Sequence, residues 1–119
     1  LIQSFNLVMA KISTLSEMES FLGSILTKTE RVMLAKRLAI VILLKEGLSQ
    51  ASICNTLNVT QATVSRMQLF LEARGDEGYG VALKKLENEK VLKEFKTLLI
   101  KIARYSIRAA GGYVKPEIL

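Results

Sequence analysis

The stretch Ser49-Gln50-Ala51-Ser52-Ile53-Cys54-Asn55-Thr56-Leu57-Asn58-Val59-Thr60-Gln61-Ala62-Thr63-Val64-Ser65-Arg66-Met67 decides how this chain folds. Ser49 is suited to cap a first short helix, because its hydroxyl can accept from an orphan backbone N–H. Ile53 and Leu57, four residues apart, then share the inward face, and Cys54 is small enough to let another helix come close. Asn58 stands where the chain must turn sharply, and after glycine it is among the residues that best tolerate positive φ. Val59 plugs the turn into the core. Thr60 caps a second helix in which Val64 and Met67 face the first, while Gln61, Ala62, Ser65 and Arg66 lie on or near the outer face. Two helices joined by a turn of three or four residues form a helix-turn-helix, here spanning residues 49–71.

The outward residue types suit DNA. Thr60 and the N-terminus of the second helix favour phosphate, and Ser49, Gln50 and Ser65 stand with them as DNA-binding candidates. Gln61 can read adenine, Ala62 or Thr63 can touch a thymine methyl, and Arg66 can reach guanine or a phosphate. The same pattern also occurs in bundles that bind no nucleic acid, so a helical interaction or adaptor module with a vestigial helix-turn-helix stands as the alternative.

Outward from this stretch the pattern is helical throughout, and the predicted fold class is all-α, with 119 residues read as a single helical domain. Half the residues are hydrophobic, only 6% are aromatic, and the one proline is Pro116. Apolar spacing predicts a helix over about Ile2–Ser13. Ser16-Glu17-Met18-Glu19 and Thr27-Lys28-Thr29-Glu30 each read as a capping box opening a further helix. The helix from Thr27 should run to about Glu46, with Gly47 closing it. From Leu38 to Leu44 it is apolar on every side, and a chain this short has little with which to surround it. A homodimer, intertwined around this helix, is therefore expected.

After Leu71, Gly75, Gly78 and Gly80 mark a turn around Tyr79, followed by a short helix over Val81–Leu86 and an amphipathic one over about Glu89–Ala110. Gly111 and Gly112 end the latter, and 111–119 reads as a loose tail. The apolar side of that last helix is a candidate dimer surface.

Charge and composition narrow the function. The net charge is +6 and the pI about 9.6, which makes an anionic partner more plausible than a cationic one. Residues 1–47 carry 6 basic and 4 acidic groups, residues 48–80 carry 2 and 3, and residues 81–119 carry 9 and 4. The helix-turn-helix is thus not itself basic, and flanking helices would have to supply much of the phosphate attraction. The chain has no histidine and one cysteine, so no Cys/His metal constellation, cofactor motif or catalytic arrangement is legible, and an enzyme is not expected. Cys54 reads as a packing residue. RNA binding would lack aromatic stacking platforms. The longest apolar run falls far short of the ~20 residues that cross a bilayer. A cytoplasmic protein is expected, and the start at Leu1 instead of Met suggests a trimmed N-terminus.

From Thr27 to Tyr79 the sequence resembles the Trp repressor-like superfamily, particularly its uncharacterised bacterial branch. The resemblance rests on Leu26-Thr27-Lys28-Thr29-Glu30-Arg31, Leu34-Ala35-Lys36-Arg37-Leu38-Ala39-Ile40, Gly47-Leu48-Ser49-Gln50, Ala62-Thr63-Val64-Ser65-Arg66 and the Gly75–Tyr79 turn. It implies an intertwined helical homodimer, recognition helices about one DNA turn (~34 Å) apart, and repression by occupying an operator in double-stranded DNA. It also implies a place for a small-molecule effector, since Thr27, Arg37, Ile40 and Arg66 match pocket positions of the tryptophan-responsive member; Arg37 and Arg66 read more readily as ion-pair or phosphate partners. Met67 and Phe70 stand where that member has glycine and serine. These bulky side chains would fill the pocket, so tryptophan is not the expected effector.

Overall fold

The computed structural model describes residues 1–75 and 77–109. Among them lie seven helices and no strand: α1 Ile2–Lys11, α2 Leu15–Ile25, α3 Lys28–Lys45, α4 Gln50–Leu57, α5 Gln61–Arg74, α6 Tyr79–Leu86 and α7 Lys90–Ala109. The chain is all-α. The expected tail at 111–119, with Gly111 and Gly112, lies outside the described residues.

The chain divides into two compact units, Leu1–Ala35 and Lys36–Leu119. In the first, α1 ends two residues sooner than its apolar spacing suggested, because Thr14 takes the extended backbone of an N-cap (φ −113°, ψ 154°). Its hydroxyl oxygen accepts from the Glu17 N–H at 3.1 Å and donates to Glu17 Oε1 at 2.9 Å. The cap of α2 is therefore Thr14 and not Ser16. Thr14-Leu15-Ser16-Glu17 is itself a capping box overlapping the expected one, and opening the helix there adds backbone hydrogen bonds without giving up a cap.

The box at the start of α3 forms as read. Thr27 Oγ1 accepts from the Glu30 N–H at 3.1 Å, and the Thr27 N–H donates to Glu30 Oε1 at 2.9 Å. The bond from the Thr27 backbone, reinforced by its side chain, lowers the Glu30 pKa below the ordinary glutamate value. No residue of this first unit is buried.

In the second unit α3 closes on Gly47 (φ 92°). Leu48 N–H donates to Leu43 O and Gly47 N–H to Leu44 O, both at 3.1 Å; this is the paired closure in which a left-handed glycine satisfies the last carbonyls. Leu43 and Leu48 are both buried in the core.

That core centres on Ala39, Ile40, Val41, Ile42 and Leu43, five consecutive buried residues of α3. Ile53 of α4, Val64 and Met67 of α5, and Leu92, Leu99 and Ala103 of α7 complete it. Side chains of α4, α5 and α7 thus enclose the all-apolar half of α3 within one chain, so the burial of this stretch does not by itself call for a second copy. Exposed apolar residues lie elsewhere, among them Ile2, Phe5, Leu7 and Val8 on α1, Leu15 and Ile25 on α2, and Val32, Met33 and Leu34 in the first half of α3.

Candidate nucleic-acid interface

The helix-turn-helix is built by three local devices. Ser49 Oγ accepts from the Ser52 N–H at 3.1 Å and so opens α4. Asn58 adopts the left-handed conformation (φ 54°, ψ 57°) and is the one non-glycine residue with positive φ among those described. Thr60 Oγ1 accepts from the Thr63 N–H at 3.2 Å and opens α5. Asn58, Val59 and Thr60 make the whole connection, and each does what its residue type suggests. The expected second helix is longer than the 49–71 frame, reaching Arg74 before Gly75 (φ 56°) ends it.

The turn is fastened from two sides. Val59 is half-buried against the core. Lys36 of α3 extends its Nζ to within 3.4 Å of the Asn58 carbonyl oxygen, placing a cation at the C-terminal end of α4, where the helix dipole favours one.

Val64 is fully buried and Met67 nearly so, while Gln61, Ala62 and Arg66 are exposed. Thr63 and Ser65 are half-buried at the edge of that face. The structure therefore brings Gln61, Ala62, Thr63, Ser65 and Arg66 together over the first two turns of α5, beside the free N–H groups behind Thr60. Such an end presents a partial positive charge and unpaired donors, an arrangement that suits phosphate.

A side-chain network that the sequence reading missed ties α4 to this face. Gln50 Oε1 accepts from both Gln61 Nε2 and Ser65 Oγ, the latter at 2.9 Å. Gln50 Nε2 donates to Gln68 Oε1, whose own Nε2 donates to Glu72 Oε1 at 3.2 Å. Cys54 Sγ lies 3.7 Å from Gln61 Oε1, close enough for a weak thiol bond. Gln50 and Gln61 were read as two independent contacts; they are partners. The signal available was the presence of glutamines at the first position of both helices, which the short turn brings side by side.

The effector positions are placed as follows. Thr27 has both its hydroxyl and its N–H engaged with Glu30. Arg37 and Arg66 are exposed, and Ile40 is fully buried in the core. Met67 lies in that same core. Phe70 points outward at half exposure, with the Arg74 guanidinium 5.7 Å from its ring centre; with Leu71, Tyr79 and Ala82 these two residues line an open hollow of about 390 Å³.

No group of three metal-binding side chains occurs among the described residues. No described helix is long and apolar enough to cross a membrane.

Neither a curated protein nor a solved structure matches the chain. The family model described as Trp repressor protein matches residues 2–87, which takes in α1 through α6 and so the whole helix-turn-helix. On that match and on this arrangement of α3, α4 and α5, the chain belongs to the Trp repressor family.

Proposed function

We propose that the protein is a non-enzymatic, sequence-specific DNA-binding regulator of transcription, acting in the cytoplasm as a repressor, with α5 entering the major groove. The observation that carries this is the exposed cluster Gln61, Ala62 and Arg66 at the N-terminal end of α5, held in register by the left-handed Asn58 and the Thr60 cap. Thr63 and Ser65 complete the base-facing surface. Ser49, Gln50 and Thr60 approach the phosphates. The family is one of DNA-binding regulators, which supports the reading.

The active form is a homodimer in this proposal. α1, α2 and the first half of α3 carry nine large exposed apolar side chains and bury none, and helices of 10 and 11 residues do not persist in water without a packed face. The family resemblance implies that the two recognition helices of such a dimer meet successive major-groove turns, about 34 Å apart.

An interaction module without DNA binding is the second reading, favoured by one observation: the Gln61 amide is already engaged by Gln50 and Cys54. The two readings separate in a titration of mixed-sequence duplex DNA at several salt concentrations. Neutralising phosphates gives an affinity that falls as a power of salt, with an exponent of about −0.9 for each phosphate contacted. A module that never touches phosphate gives no such dependence.

Any small-molecule effector that the family's pocket positions Arg37, Ile40 and Arg66 serve is, in this proposal, not tryptophan. Met67 fills core volume beside α3, and Ile40 is enclosed by its own chain.

A further inference from the structure

Helix α7 begins at Lys90, beyond the residues that the family model matches. It packs on α4, burying Leu92, Leu99 and Ala103 against the core. Beside that buried face runs a second apolar line at alternating spacings of four and three: Val91, Phe95, Leu98, Ile102 and Tyr105. Phe95 is half-buried at the border between the two faces. The other four are exposed, at 64%, 52%, 37% and 78% in chain order. One buried face and one open line, side by side, are more than a helix needs to dock on its own chain. The four-three repeat is the pattern of a left-handed helix pair.

The flank of this line identifies its occupant. Glu94 and Lys101 lie on the same edge, one heptad apart, and both are solvent-exposed. When two copies of α7 meet antiparallel with Leu98 near the two-fold axis, Glu94 of each faces Lys101 of the other, giving two symmetric ion pairs. In a parallel pair this edge would face the opposite edge of the partner helix, where Leu92 and Leu99 are already buried. Within one chain Glu94 and Lys101 are about 10 Å apart along the axis and do not meet; Glu94 instead makes an exposed contact of 3.7 Å with Lys90, of a kind that contributes little.

We propose that α7 is a self-association element: the α7 helices of two copies of this chain pair antiparallel through Val91, Leu98, Ile102 and Tyr105, with Glu94 and Lys101 setting register and direction. This interface stands apart from the DNA-binding reading and from the contact proposed for α1 to α3.

Sedimentation velocity on the full chain, compared with Leu98→Glu/Ile102→Glu, tests it. Both positions are exposed in the single chain, and circular dichroism checks that helix content is retained. The expected result is a halved mass for the variant. A tetramer becoming a dimer supports both interfaces. A dimer becoming a monomer supports the α7 pair and contradicts the separate contact through α1 to α3. An unchanged mass with intact helix content overturns the α7 pair. If the double variant loses its helix content, the charge series decides instead: Glu94→Lys alone should weaken self-association about tenfold or more, and adding Lys101→Glu should restore it. Weakening without rescue overturns the antiparallel register.

Discussion

Ser65 Oγ, in the second turn of α5, donates a 2.9 Å hydrogen bond to Oε1 of Gln50, the first residue of α4. The same oxygen accepts from Gln61, so a single side chain on the supporting helix aims two residues of the proposed reading face. In the proposed role Gln50 aligns these two residues in addition to approaching the phosphates. Replacing it should cost little stability, because these atoms are open enough for water to take over, and more in recognition, because Gln61 and Ser65 lose their common partner.

For Gln50→Ala the expected loss of folding stability is about 0.5–1.5 kcal/mol, read as a lower urea midpoint with an unchanged slope. Titration of operator DNA should show a larger fractional loss than titration of mixed DNA. Equal losses on both would assign Gln50 to phosphate contact alone.

Asn58 has φ 54°, a conformation that costs an ordinary L-residue about 1–2 kcal/mol. Asn58→Gly should leave stability nearly unchanged, whereas Asn58→Val should lower it by at least that amount, since a β-branched residue tolerates the region worst. Equilibrium unfolding of the two variants checks the order.

The depressed Glu30 pKa carries a sign. A carboxylate whose pKa is lower folded than unfolded adds stability above the unfolded value and loses it as pH falls through the folded one. Wild type should therefore exceed Glu30→Gln in stability at neutral pH, and the gap should close as the solution is acidified below the ordinary glutamate range. Thermal melts of both proteins between neutral and acidic pH measure it; a gap independent of pH would remove the Thr27–Glu30 bond as its source.

Isothermal calorimetry with L-tryptophan should show no heat of binding. Met67 is 6% exposed within the core cluster, so its side chain occupies the position where the tryptophan-responsive member has glycine. A micromolar affinity would overturn this.

Much of this was legible in the residues. The helix-turn-helix was readable because each of its decisive positions is a local event: a hydroxyl satisfying N–H groups at Ser49 and Thr60, and an asparagine accepting positive φ at Asn58. The start of α2 was misplaced because two boxes overlap, and local chemistry alone does not choose between Thr14 and Ser16. The apolar run of α3 identified the core, but the pattern could not tell which elements enclose it; that depends on where α7 docks. The glutamine network was invisible for the same reason, since residues 50, 61, 65 and 68 become neighbours only after the turn has formed.

The most direct measurement is selection of duplex DNA from a random pool at a fixed salt concentration, carried out with the wild type and with Arg66→Ala. The expected result is enrichment of a two-fold symmetric site with half-sites about one helical turn apart, and an Arg66→Ala variant that binds about 1–3 kcal/mol more weakly with relaxed preference at one position of each half-site. Recovery of no preferred sequence by the wild type would contradict it.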